Sequence, residues 1–207
     1  WNSLVKGDKM MAAIQSKIGT DLIEDLPIKF TAVAADIAAE KEHWFQSGPI
    51  DQAIRASVSL PLFFTPYNVG GVQLIDGGIL NPTPIEPTLG DDTDLTLAVD
   101  LGGSMMKEAI PEREKAQSPW QQKMDDFLDS MKSSESKPKD QWDMFYIADQ
   151  SFNTMQNAIA RIRMADNPPD HLISVPRNKC GTLEFDRSAE MIEYGYRLAA
   201  EQLSSKI

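Results

Sequence analysis

The chain is 207 residues long, 42% hydrophobic and 25% charged, with 20 basic against 31 acidic residues and a net charge of −11. This is globular composition sufficient for one domain with a real core, and no apolar run approaches the roughly 20 residues of a membrane-spanning helix. The acidic balance, with no dense Lys/Arg run, argues against nucleic-acid phosphate as a partner and against strong nonspecific attachment to anionic membrane surfaces, and the single Cys180 excludes internal disulfides and thiolate metal clusters.

In chain order, the start at Trp1 without a basic stretch ahead of an apolar one suggests a fragment, a processed product or an excised segment. Residues 8–19 have the apolar spacing of a helix ending near Gly19. Residues 28–37 mix β-branched and aromatic side chains as a strand does. A polar turn at Glu40-Lys41-Glu42 then leads to a second short strand at His43–Gln46, giving a hairpin. Pro49 opens a short helix over Asp51–Ala56. Small residues at Ala56, Ser57 and Ser59 permit close packing before Pro61 ends the segment. Ser47-Gly48 reads as a turn.

Leu74 and Ile75 end a buried strand and deliver Asp76 to Gly77-Gly78, which permit positive φ or a close backbone approach. Asn81 and Pro82 punctuate the following loop. The window alone favours an Asp-Gly turn closing a hairpin, yet a carboxylate at the C-terminal end of a strand is also where open α/β folds build their sites. Leu95–Leu101 is nearly all apolar and predicts a strand buried on both faces of a parallel or mixed sheet.

Residues 104–119 are polar, and Ser133–Gln141 reads as a mobile connection. Phe145, Ala148, Phe152, Met155, Ile159 and Ile162 then recur as the core-facing stripe of a long helix, stopped by Asn167-Pro168-Pro169-Asp170. His171–Pro176 predicts a buried strand. Asp186 is expected to cap a last helix in which Ile192, Tyr196, Ala199 and Leu203 share a face.

Taken together, Phe30–Asp36, Ala53–Pro66, Asp76–Pro82 and Leu95–Asp100 resemble the C-terminal half of bacterial patatin-like phospholipases. The order is an A-V-A-x-D strand, an A-I-R-A-S-x-S-x-P segment, an F-x-P and a D-G-G-x-x-N-P loop. The likeness continues into LEFDRSAEMIEYGYRLA near the end. It implies an α/β fold, a mixed or parallel sheet flanked by helices, incomplete, with a helical C-terminal part. Residues 1–103 would carry the catalytic portion, 104–141 a polar connection with a helix, and 142–207 the helical end of the same domain.

The resemblance implies a lipid acyl hydrolase with a Ser–Asp dyad, in which Asp76 is the dyad aspartate and Gly77 and Gly78 shape its turn. Serine is a poor nucleophile without a base, and a carboxylate must be partly desolvated to serve as one. The chain contains neither the G-x-S-x-G of the nucleophile nor a G-G-G-x-[RK]-G loop for the oxyanion, both of which the family carries upstream. The serine is therefore expected outside this chain, which alone would be inactive. No cofactor or metal is implied. The expected partners are a lipid or ester substrate, a transient membrane surface, and self-association or pairing with the N-terminal part; nucleic acid is not expected. A bacterial cytoplasm is the expected location. The alternative is a catalytically inactive interaction or regulatory module.

Other residues carry weaker alternatives. Ser57 and Ser59 lack elbow glycines and read as packing residues, and His43 and His171 as structural. Asp91, Asp92 and Asp94 read as a solvated loop rather than a cation site. Asp36 and Asp100 either line a cleft or cap turns. Arg55 either holds a phosphate headgroup or pairs with a carboxylate, the pair being favoured. Cys180 lacks an activating partner. Trp44, Phe63, Phe64 and Tyr67 either line an acyl channel or pack in the core, the core being the default.

Overall fold

A computed structural model describes residues 8–19, 21–61, 64–106, 144–181 and 184–204. Ser133–Gln141, the polar residues 107–119 and Phe63 lie outside them. The protein is mixed α/β, with an antiparallel sheet and a parallel pair of strands flanked by helices. It divides into two compact units: the segment ending at Asp91 together with Thr154–Asn167, and the segments Asp92–Asn153 and Pro168–Ile207.

In the first unit, helix α1 (Asp8–Ile18) ends where Gly19 takes a φ of +75° and returns its N–H to the Gln15 carbonyl. Strands β1 (Ala32–Asp36) and β2 (Lys41–Phe45) form the expected hairpin, with Ala34 opposite His43. The turn comes earlier than Glu40-Lys41-Glu42, because the Asp36 carboxylate accepts the N–H groups of Ala38 and Ala39 at 3.0 Å and closes the turn there. Helix α2 (Ile50–Ser57) follows Pro49.

Strands β3 (Tyr67–Val69) and β4 (Val72–Asp76) form a second hairpin, and the sheet order is β2-β1-β4-β3. Its two-residue loop is Gly70-Gly71, at φ values of +59° and +90° that only glycine adopts cheaply. Helix α2 lays Ala53 and Ala56, both fully buried, on Ala32, Ala34 and Leu74 of the sheet. Alanines at this contact bring helix and sheet close, as the small-residue spacing predicts. The other face of β1 is closed as well, with Val33 and Ala35 buried.

In the second unit, β5 (Leu97–Gly103) and β6 (His171–Pro176) pair in parallel, with Val99 opposite Ile173. The predicted burial of both faces of β5 does not hold: Ala98 is buried, whereas Leu97, Val99 and Leu101 are 43%, 49% and 70% exposed. Alternation along the strand sends every second side chain to one face, and that face is open.

Helix α3 (Met144–Asp166) stops before Asn167-Pro168-Pro169 as expected. Its inward face differs from the predicted stripe. Met155 and Ile162 are 58% and 65% exposed, while Ala160 is 2% exposed. Phe145 and Ala148 lie outside the residues whose side chains are described. Helix α4 (Ser188–Ser204) is preceded by a 3₁₀ turn, Phe185–Arg187, so Asp186 lies within that turn rather than capping the helix. Ile192 and Tyr196 are 74% and 76% exposed, so the expected face is rotated away from them.

A methyl group at Gly77 would sit 2.3 Å from the Val33 carbonyl oxygen, which is backbone and cannot yield. Gly195 in α4 has nothing within 4 Å of such a group. Gly77→Ala is therefore expected to destabilise by about 1–3 kcal/mol, and Gly195→Ala to stabilise by about 0.5–1 kcal/mol through helix propensity. Urea unfolding of the two variants measures both; equal midpoints would contradict the close approach.

Candidate active site

Three constraints position Asp76. Its strand is anchored by Leu74 and Ile75, both buried, and Asp76 stands opposite Ala34 in the register of β4 with β1. Its backbone N–H donates to the Ser59 carbonyl at 3.0 Å, which ties the strand end to the turn following α2. Its carboxylate Oδ1 accepts the Gly78 N–H at 2.7 Å and so caps the 3₁₀ turn Gly77–Ile79. Asp76 thus starts a 3₁₀ turn and does not close a hairpin; the hairpin turn is Gly70-Gly71.

Burial raises the Asp76 pKa above its ordinary value, and the Gly78 hydrogen bond only partly offsets this. Of the two possible reasons for glycine at 77, close approach is the one that applies, since its φ is not positive. At Gly78 an added methyl would meet the Gln156 amide nitrogen at 2.8 Å and the Asp76 Oδ1 at 3.0 Å. The side-chain amide of Gln156 therefore lies against Gly78.

The loop that starts at Asp76 ends in a closed ring of four side chains. Asn81, 2% exposed, donates from Nδ2 to Glu42 Oε2 at 3.2 Å and Glu86 Oε2 at 2.8 Å. Arg163 of α3 donates to the other oxygens, to Glu42 Oε1 at 2.7 Å and Glu86 Oε1 at 3.0 Å. Trp44 adds its indole N–H to Glu42 Oε2 at 2.7 Å. Burial alone would raise the Glu86 pKa, but hydrogen bonds from Asn81, its own backbone N–H and Arg163, with the Arg163 charge, lower it overall. Asn81 Oδ1 is buried and has no hydrogen-bond partner among the described residues.

The remaining candidates resolve individually. Ser59 is fully buried and donates to the Arg55 carbonyl at 2.7 Å, a packing role as expected. Arg55 does not take the favoured carboxylate: its guanidinium donates to Ser59 Oγ and to the Thr65 carbonyl, and stacks on Tyr67 at 5.5 Å. Among the described residues its partners are neutral oxygens and a ring face. Asp36 and Asp100 cap turns, Asp100 accepting from the Gly102 N–H at 2.9 Å. Asp91 pairs with Lys29 at 2.6 Å, and Asp92 and Asp94 are exposed.

His43 lies against Phe45, and His171 opens β6 with a buried Nδ1 that has no hydrogen-bond partner among the described residues. Burial pushes the Cys180 thiol pKa up, which opposes reactivity. Trp44, 41% exposed, is not a core residue; its indole N–H is held at the surface by Glu42. Phe64 and Tyr67 are half-buried. Among the described residues no group of three or more His, Cys, Asp or Glu could hold a metal ion, and no helix is long and apolar enough to cross a membrane.

The family model described as patatin-like phospholipase matches residues 1–89. Over 98% of its length the chain is 32% identical to uncharacterized NTE family proteins of Mycobacterium bovis and Mycobacterium tuberculosis, and covers 70% of each. It is 24% identical to a lysophospholipase of Pyricularia oryzae, over 97% of this chain and 13% of that protein.

The raised Asp76 pKa has a defined consequence for stability. Its contribution is present in full below the ordinary value of 3.8 and is lost as pH rises through the raised value, so the ionised group weakens the fold at neutral pH. Asp76→Asn is expected to raise the denaturation midpoint at neutral pH, with the gap to the parent narrowing on acidification. Urea melts across that range read this directly; a variant less stable at neutral pH would contradict it.

Proposed function

Because the chain belongs to the patatin-like phospholipase family, we propose that it carries the base of a serine acyl hydrolase acting on a phospholipid, lysophospholipid or other lipid ester. Lipid acyl hydrolysis is the chemistry that membership of this family implies. The observation that carries it is Asp76: a half-buried carboxylate of raised proton affinity at a strand end, with one oxygen bonded to Gly78.

In this mechanism the second oxygen of Asp76 accepts the proton of a serine supplied from outside these 207 residues. The serine oxygen attacks the ester carbonyl as its O–H bond breaks, and backbone N–H donors stabilise the oxyanion. Collapse of the tetrahedral adduct breaks the ester C–O bond, and Asp76 returns the proton to the departing alcohol. Water, deprotonated by Asp76, then attacks the acyl-enzyme carbonyl; the serine C–O bond breaks, Asp76 returns the proton to the serine oxygen, and the fatty acid is released. A carboxylate at its ordinary pKa would be a weak base for these transfers, and partial desolvation strengthens it. No cofactor enters the scheme. A lipid surface in a bacterial cytoplasm is the expected setting of the substrate.

The absence of G-x-S-x-G from the 207 residues favours a second reading, an inactive patatin-like module with an interaction or regulatory role. The coding sequence upstream of Trp1 separates the two, since only the enzyme needs a nucleophile elbow there. For the enzyme, Asp76→Asn in the full-length protein is expected to lower kcat on a short-chain nitrophenyl ester by about 10²- to 10⁴-fold while the fold persists. Retained turnover by a folded Asp76→Asn variant would rule the assignment out.

A further inference from the structure

The loop that presents Asp76 is held at both ends. At its start, Gly77 is pressed on the Val33 backbone, and the Gly77 carbonyl accepts the N–H groups of Leu80 at 3.0 Å and Asn81 at 2.9 Å. At its end, the Asn81 side chain enters the ring with Glu42, Arg163 and Glu86. Each carboxylate gives one oxygen to Asn81 and the other to Arg163, so the guanidinium is the one cation in a ring containing two acids.

Gln156, Ala160 and Arg163 follow one another at helical spacings of four and three on the inward face of α3. Gln156 lies against Gly78, Ala160 is 2% exposed, and Arg163 reaches both acids. Glu42 stands opposite Ala35 and His43 opposite Ala34, so Glu42 lies on the sheet face away from α2. The second half of α3 therefore backs the loop from the side that α2 leaves open.

We propose that Arg163 is a positioning residue for the Asp76 carboxylate: by closing the ring with Glu42, Asn81 and Glu86 it fixes the far end of the Asp76–Asn81 loop. This deepens the reading of Asp76 as the dyad base and rests on it. Arg163 does not touch the reacting atoms; it acts through Asn81. The planar guanidinium fork suits the task, because it spans two carboxylates at once, whereas an ammonium offers a single charged point. Without it, Glu42 and Glu86 face each other across Asn81 with like charge, and the loop end is pushed apart. A displacement near 1 Å at a catalytic base costs on the order of 10²-fold in rate.

The test uses the full-length protein and a short-chain nitrophenyl ester, at a temperature where melting curves show each variant fully folded. Arg163→Met keeps the side-chain stem and is expected to lower kcat by about 10- to 100-fold with KM changed less than about twofold. Arg163→Lys is expected to recover part of that loss. Arg163→Met in an Asp76→Asn background should add no further loss, because the two act through one group. Arg187→Met is the control: it breaks a comparable fork, to Glu184 and Glu190, remote in sequence from the loop, and should leave kcat unchanged.

Parental kcat in a folded Arg163→Met or Arg163→Lys variant overturns the proposal. If Arg163→Met does not fold, Arg163→Lys carries the test alone, with reduced kcat and unchanged KM expected. An active Asp76→Asn variant would instead sink the dyad reading, so the two failures are distinguishable.

Discussion

The backbone contact between Gly77 and the Val33 carbonyl is the constraint on which the candidate site depends. An added methyl group there would lie 2.3 Å from the Val33 oxygen, so the chain can leave β4 in this direction only with a hydrogen at that position. The exit sets the 3₁₀ turn Gly77–Ile79, and the turn brings the Gly78 N–H onto the Asp76 carboxylate. Upstream, the alanine faces of β1 and α2 hold the strands in register beneath it. Burial of Asp76 is thus a product of packing around the loop rather than of any single bond.

Two carboxylates in neighbouring segments are driven in opposite directions by their surroundings. Asp76 is desolvated with a single opposing hydrogen bond, and its proton affinity rises. Glu86 is also partly desolvated but takes bonds from Asn81 and Arg163, and its proton affinity falls. The divergence follows from the surroundings: desolvation with little compensation in one case, an ion pair with hydrogen bonds in the other. The Glu86 contribution to stability is present above its ordinary value of 4.5 and is lost as pH falls through the lowered one. Acid should therefore loosen the ring end of the loop while easing the cost of burying Asp76.

Much of this was legible from residue order. The β1–β2 hairpin, α2 behind Pro49, the existence of strands β5 and β6 and the stop of α3 at Asn167-Pro168-Pro169 follow local rules of turn chemistry and alternation. Asp76-Gly77-Gly78 stood out because a strand, an acid and two glycines coincide. The β3–β4 hairpin escaped notice although Val69-Gly70-Gly71-Val72 carries its turn signal. The faces of α3 and α4 were misjudged for a different reason. Apolar spacing predicts an inward face, yet Met155, Ile162, Ile192 and Tyr196 are exposed. The inward face of α3 is polar because it meets Glu42 and Glu86, and no local pattern announces partners 121 and 77 residues away. The one available hint was Ala160, a small residue between Gln156 and Arg163.

Activation of a serine by Asp76 for attack on an acyl ester leaves a chemical signature. The most direct measurement is labelling of the full-length protein with a fluorophosphonate, followed by peptide mapping of the adduct. One phosphonylated serine is expected, within a G-x-S-x-G segment, formed far more slowly when Asp76 is asparagine. Equal labelling of the parent and Asp76→Asn proteins, or an adduct confined to Ser57 or Ser59, would contradict it.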